Sequence, residues 1–412
     1  NILLGDVHTS AFLRRSAMEA RIRELGEQYG MQVDPAASVW QLSVGEQQRV
    51  EILKALYRKA NILILDEPTA VLTPQETLRL FDTLREMARQ GCTIIIITHK
   101  LTEVVEIAHR VTVMRRGQVT GGAEGDDVNY ASLSRMMMGS EVKQQASTRT
   151  QPMGEEELSV SHLTALGEKG VVALDDLTFT IRKGEILGVA GVAGNGQREL
   201  GEALAGLRAL KDGRILLSGE DVTGKPPRQI LQKGIAFVPE DRLGTGLVGN
   251  MNSFDNFILR DYFTQKGAFL NYKEAKARTE AAIQTYDIAM AAPTAPVRLM
   301  SGGNLQKLLL AREIALAPKV LILSYPVRGL DLGATERIYE LMLEQRDKGC
   351  AVLFISEDLE ALLRFSDRIM VLYRGRMTGM VEREKASVTD IGMMMMGTSK
   401  QEEARHEVYS HF

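Results

Sequence analysis

Residues 62–72 read ILILDEPTAVL, and 258 positions later residues 320–330 read VLILSYPVRGL. The first stretch is a short aliphatic run that ends in two adjacent carboxylates, Asp66 and Glu67. An uninterrupted apolar run of this length reads as a strand buried on both faces, as in a parallel sheet covered by helices. Ligands of such sheets bind beyond the carboxyl ends of the strands, so both acids fall where chemistry is expected. An isolated Asp-Glu after a strand is more often an exposed acidic turn, and the rest of the chain has to decide.

The offset of 258 recurs along the sequence. It pairs SVGEQQ (43–48) with SGGNLQ (301–306), GCTIIIITH (91–99) with GCAVLFISE (349–357), and residues 136–139 with 394–397. Between 41–140 and 299–398 there are 26 identities in 100 positions without a gap. The period is too long for a solenoid, so two copies of one whole domain are fused. Runs at 61–65, 93–98, 320–323 and 352–356 are predicted strands, alternating with long helical stretches such as 77–89. Cys92 and Cys350 occupy equivalent positions, so they read as packing residues and not as a disulfide pair, which suits a reducing cytosol.

The register also places the copies against each other. NILLGD at Asn1 resembles NFILRD at Asn256, so the first copy starts where the second, beginning near Leu158, is well advanced. The expectation is that about 98 residues of the first copy, including its own phosphate loop, lie upstream of Asn1. Their loss would leave apolar surface uncovered. The domains are then 1–140, a polar linker at 141–157, a second copy at 158–397 and a weakly ordered tail at 398–412.

Composition sets outer limits. A length of 412 residues suits two domains, and 25% charged residues with a net charge of -3 show no basic excess pointing to nucleic acid. The longest aliphatic runs, such as 94–97, are far short of the roughly 20 residues a bilayer span requires. The start has neither a methionine nor a signal-peptide pattern and reads as internal.

Three further features accompany the acids. His99 ends the neighbouring apolar run, where a neutral imidazole can donate to a phosphate or orient a water. Ser43 and Gly45 stand at the mouth of a helix, whose free amides and dipole favour an anion, although a plain capping box with Glu46 would look the same. In GVAGVAGNGQREL (188–200), Gly191 and Gly196 keep the spacing of the phosphate loop G-x-x-x-x-G-K-[ST]. Gln197 stands in place of the lysine and Arg198 in place of the hydroxyl residue. The loop amides around Gly194, Asn195 and Gly196 could still contact phosphate, against the alternative of a turn that only packs a helix on the sheet.

Taken in this order and spacing, the motifs resemble those of the ABC-transporter ATPases. Residues 42–47 are similar to the signature, 62–67 to Walker B and 68–73 to the D-loop, and His99 matches the switch histidine. The resemblance implies an α/β fold of tandem P-loop NTPase domains, each a mostly parallel sheet flanked by helices with an antiparallel β subdomain and a helical subdomain. It implies ATP and Mg²⁺ as ligands, with Asp66 on the metal, Glu67 as catalytic base and His99 beside it. In that family two such domains meet head to tail, so one competent site combines these three and the phosphate loop expected upstream of Asn1 with Ser301, Gly302 and Gly303, and this chain alone is expected not to hydrolyse ATP. A degenerate site combines Gly191–Arg198, Ser324 and Tyr325 with Ser43 and Gly45.

The second copy departs from the pattern throughout. Ser324, Tyr325 and Glu357 replace the metal ligand, base and histidine, and VPEDR (238–242) stands where the family has its Q-loop glutamine. No Phe, Tyr or Trp lies between 157 and 178 to stack on adenine. Phosphoryl transfer needs positioning plus charge stabilisation, so that copy is expected not to turn over. Fused halves of this kind resemble the ATPases of nucleoside and simple-sugar importers, with nucleosides the preferred substrate and a ribose- or galactose-type sugar the alternative. The implied partners are two transmembrane permeases and, indirectly, a solute-binding lipoprotein, with no nucleic acid. The implied location is the cytoplasmic face of the membrane. A soluble ATPase of translation or DNA repair, or a non-enzymatic remnant, are the competing readings.

Overall fold

A computed structural model of the chain describes residues 2, 15–29, 33–39, 44–58, 60–69, 72, 74–98, 100–115, 117–128, 132–133, 136, 152–167, 170–192, 194–260, 262–264, 270–395 and 397. Ser43, His99, the tail at 398–412 and all of the linker before residue 152 lie outside them. The chain forms two compact units, Asn1–Lys143 and Gln144–Phe412. Among the described residues no helix is long and apolar enough to cross a membrane.

In the first unit, helices Arg15–Gln28 and Val44–Tyr57 precede strand β1 (Ile62–Asp66). Helix Pro74–Arg89 leads to β2 (Thr93–Ile97), and helix Leu101–Ile107 to the hairpin of β3 (Arg110–Arg115) and β4 (Gln118–Glu124). β1 and β2 pair in parallel, Ile62 opposite Thr93 and Asp66 opposite Ile97. β3 and β4 pair antiparallel. The helix expected at 77–89 begins three residues earlier, because Pro74 is suited to a first helical turn where its missing N–H costs nothing.

The second unit opens with β5 (Glu156–Leu166), whose first residues fall within the stretch read as linker, and β6 (Val172–Arg182). With β8 (Leu210–Leu217) and β9 (Glu220–Asp221) they make a four-stranded antiparallel sheet. The main sheet has the order β10-β11-β12-β7-β13-β14, using β7 (Ile186–Ala190), β10 (Ile235–Val238), β11 (Val320–Ser324), β12 (Ala351–Ile355), β13 (Arg368–Tyr373) and β14 (Arg376–Glu382). All its pairings are parallel except β13 with β14. Alternate residues feed two separate cores: Leu321, Leu323, Val352 and Phe354 face one, and Val320, Ile322, Leu353 and Ile355 the other. This is why these strands carry no polar alternation.

The repeat extends to single hydrogen bonds. The Thr120 hydroxyl donates to the carbonyls of Val113 (3.3 Å) and Met136 (3.2 Å). Its counterpart Thr378 donates to Val371 (3.3 Å) and Met394 (3.1 Å). Both hairpins shift register at the same place, at Val113/Met114 and at Val371/Leu372.

The copies differ in what covers them. Ile62, Ile64, Ile95 and Ile97 are 47–62% exposed, whereas their counterparts Val320, Ile322, Leu353 and Ile355 are fully buried. In the second unit that face packs beneath Leu200 of helix Gln197–Leu204, Phe237 of β10 and residues of β5 and β6. No described residue of the first unit plays those parts.

Candidate functional site

The acids lie where the strand order puts them. Asp66 is the exposed last residue of β1, and Glu67, half-buried, follows it with φ +46°. Tyr325 holds the same place after β11 with φ +47°. In both copies the amide of this residue donates to the last carbonyl of the neighbouring strand, Glu67 to Ile97 and Tyr325 to Ile355, each at 2.9 Å. A non-glycine residue in the left-handed region costs about 1–3 kcal/mol and persists where the surroundings hold it, commonly at functional sites. Buried Thr69 fixes the turn that follows, its hydroxyl 2.6 Å from the Glu103 carboxylate, which also pairs with Lys100 at 3.2 Å. His99 precedes that lysine but lies outside the described residues, so only its neighbours Thr98 and Lys100 can be placed.

Gly45 is the second residue of helix Val44–Tyr57, while Ser43 is outside the described residues. In the second unit Ser301 is the exposed N-cap of helix Gly302–Ile314, and Gly302 and Gly303 form its first turn. The Ser301 hydroxyl makes no capping bond to the backbone and accepts instead from the Asn304 side chain at 2.9 Å. The first-turn amides are therefore left open at the positive end of the helix dipole.

The loop at Gly191–Arg198 has the backbone of a phosphate cradle but fills it itself. It runs from the buried strand β7 into helix Gln197–Leu204, with Gly194 at φ +90° and Gly196, the N-cap, at φ +103°. Three donors converge on the Val192 carbonyl: the Asn195 amide (3.2 Å), the Asn195 side chain (3.0 Å) and the Gln197 side chain (3.1 Å). The Gln197 amide lies so close over Gly191 that a Cβ there would sit 2.3 Å from its nitrogen. The Gln197 Oε1 is buried without a hydrogen-bond partner. A buried acceptor in place of a lysine ammonium does not suit a triphosphate. Arg198 pairs along its helix with Glu202 at 2.8 Å. A second glycine-lysine spacing, Gly219 to Lys225, is followed by Pro226, and Lys225 pairs with Glu220, so it is no phosphate loop.

Beyond β10 and β11 of the second unit lies a cleft of about 420 Å³. Ser324 and Arg328 line it from one side and Glu240, Asp241 and Arg242 from the other. Arg328 bonds Glu240 and reaches Glu357 at 3.8 Å. Arg242 donates to Gln306 of the helix at 2.7 Å and to the Arg328 carbonyl. Tyr325 is buried in the apolar cluster beneath, and that burial, with Glu357 and Glu240 nearby, raises its phenol pKa, so it stays protonated. The fit differs between the copies: Asp66 and Glu67 suit a hydrated Mg²⁺ and a water-directed base, whereas the second loop and cleft suit neither metal nor triphosphate. Among the described residues no three His, Cys, Asp or Glu side chains converge to hold a metal. Any Mg²⁺ would thus lean mainly on phosphate oxygens and water.

Sequence reading did not find the ion pairs of the cleft. Their signal was present: Arg328 stands where the first copy has Ala70, and Glu357 where it has His99, two replacements of opposite charge.

The family model of the ABC transporter matches residues 5–70 and 174–327. The chain belongs to the ABC transporter family. It is 44% identical over 384 residues to the glucose import ATP-binding protein TsgD13 of Haloferax volcanii, covering 92% of this chain and 70% of that protein. It is 39% identical over 401 residues to the nucleoside import ATP-binding protein NupA of Lactococcus lactis subsp. cremoris, covering 96% of this chain and 79% of that protein. A nucleotide-free ATP-binding cassette from an ABC transporter superposes with a TM-score of 0.50 at 20% identity, over 60% of this chain and 100% of that one. That likeness carries the fold. The ABC transporter family binds ATP with Mg²⁺, which is the ligand pair the acids of the first unit suit.

Proposed function

We propose that this chain belongs to the ATP-binding and ATP-hydrolysing subunit of an importer of nucleosides, with the C-terminal part of a first nucleotide-binding domain at 1–140 and a second, degenerate one at 158–397. The observation that carries the reading is the pair of equivalent strand ends. The first presents Asp66 and Glu67, and the second presents Ser324 and Tyr325 on the same left-handed backbone. One copy therefore keeps the chemistry and the other keeps only the frame.

Asp66 would hold Mg²⁺ through water, and the metal, when bound, offsets charge on the phosphates. Glu67 takes the proton of the attacking water, and His99 contacts the transferred phosphate. Ser301, Gly302 and Gly303 offer the open amides of their helix to phosphate oxygens, and Ser43 and Gly45 belong to the corresponding stretch of the first copy. Gly191, Gly194, Asn195, Gly196, Gln197 and Arg198 belong to the degenerate site. The partners are two transmembrane permeases and a solute-binding lipoprotein acting through them, with the chain peripheral on the cytoplasmic face of the membrane.

A sugar is the second reading for the substrate, favoured by the glucose import relative at 44% identity. Binding-protein-stimulated ATPase of the full-length protein with its permeases, over a panel of nucleosides, pentoses and hexoses, separates the two. Stimulation by nucleosides alone supports the first reading and stimulation by sugars alone the second. Stimulation by neither contradicts the import function.

A further inference from the structure

Three loops of the second unit meet because their strands are neighbours. Glu240 follows β10, Arg328 follows β11 and Glu357 follows β12, and these three parallel strands are adjacent in the sheet. Their carboxyl ends form the place where a sheet of this kind holds its ligand. In this unit the place is spanned by protein charge: Arg328 bonds Glu240 on one side and reaches Glu357 at 3.8 Å on the other.

We propose that the Glu240–Arg328–Glu357 bridge is a built-in substitute for the metal and phosphate, tying these three loops together whether or not nucleotide is present. This rests on the reading of the chain as an ATP-binding subunit, and it goes beyond the loss of catalytic residues. The two replacements relative to the first copy, Ala70 to Arg328 and His99 to Glu357, are complementary in charge. One guanidinium lies between the two carboxylates, bonded to Glu240 and in ion-pair range of Glu357, so a cation fixed on the chain stands between the loops. In the loop that would hold the phosphate, the Asn195 and Gln197 side chains both donate to the Val192 carbonyl instead. Among the described residues, these loops are thus tied to one another without Mg²⁺–ATP.

The test is hydrogen exchange on the full chain, reading peptides over 238–247, 324–330 and 355–359 with and without Mg²⁺–ATP. The wild-type peptides should exchange at rates that nucleotide changes by less than about twofold. Arg328→Ala should speed exchange in all three peptides together by about threefold or more, since each partly exposed pair contributes modestly. Arg328→Lys, which keeps the charge but not the fork, should do so to a lesser extent. The double variant Glu240→Gln with Glu357→Gln should match Arg328→Ala and guards against a local effect of truncating one side chain. Protection of these peptides by Mg²⁺–ATP in the wild type, or a change confined to 324–330 in the variants, would overturn the proposal. Equilibrium dialysis of ATP with Mg²⁺ runs alongside: a chain that binds no nucleotide loses its proposed function, while the nucleotide-free exchange comparison still decides the bridge.

Discussion

At the scale of the residue, the site depends on a few backbone positions that tolerate little change. Gly196 sits at φ +103°, and a Cβ there would lie 2.6 Å from the Ala173 carbonyl. Gly194 has φ +90° but open space around it. Gly196→Ala is expected to destabilise the second unit by about 2–4 kcal/mol, from left-handed strain plus a backbone clash, and Gly194→Ala by only about 1–2 kcal/mol. Chemical denaturation of the two variants gives the comparison directly. The cysteines make a second case, since burial pushes the Cys350 thiol up to about 12. At pH 8, more than three units below that value, the thiol stays protonated and unreactive. Iodoacetamide on the native chain should modify Cys92, which is half-buried, well before Cys350. Equal rates at the two sites would contradict the packing.

At the scale of the element, the repeat supplies its own controls. Ile64 and Ile322 are equivalent residues on equivalent strands, one 62% exposed and the other fully buried. Ile322→Thr should cost about 2 kcal/mol or more, by loss of buried methyls and burial of a hydroxyl, and Ile64→Thr under about 0.5 kcal/mol. Thermal melts of both variants measure this, and comparable losses would mean that the face of the first unit is covered. A second element-level device is a buried charge triad. Glu313 is fully buried, accepts from Arg312 at 2.8 Å and pairs with Arg260 at 2.8 Å, while Arg312 also donates to the Gly246 carbonyl. It ties helix Gly302–Ile314 to the segment after β10. Removing one partner leaves buried charge unpaired, so Glu313→Ala is expected to cost about 3–5 kcal/mol in denaturant titration. Strands β1, β2, β11 and β12 were legible in the sequence because fully apolar runs of about five residues have few alternatives in a covered parallel sheet. The triad was not, because Arg260 and Glu313 are 53 positions apart and Arg260 belongs to a stretch with no apolar period.

At the scale of the whole molecule, the proposed division of labour rests on two copies that share one strand-end backbone and differ in the side chains on it. The division was legible at the level of identity: Asp66 and Glu67 against Ser324 and Tyr325 need only the register of 258. What replaced the lost chemistry was not. Glu240, Arg328 and Glu357 come together only through the strand order, which no local pattern encodes. Likewise, the exchange of lysine for Gln197 reveals a missing charge in the sequence, but not that the amide folds inward over Gly191.

Steady-state ATPase of the full-length protein with its permeases, comparing Glu67→Gln with Tyr325→Phe, tests this division most directly. Glu67→Gln should lower kcat by about 10²–10⁴, the usual contribution of a general base, and leave ATP binding in place. Tyr325→Phe should leave kcat within about twofold of the wild type. Equal losses at the two positions, or turnover that survives Glu67→Gln, would contradict a single competent half.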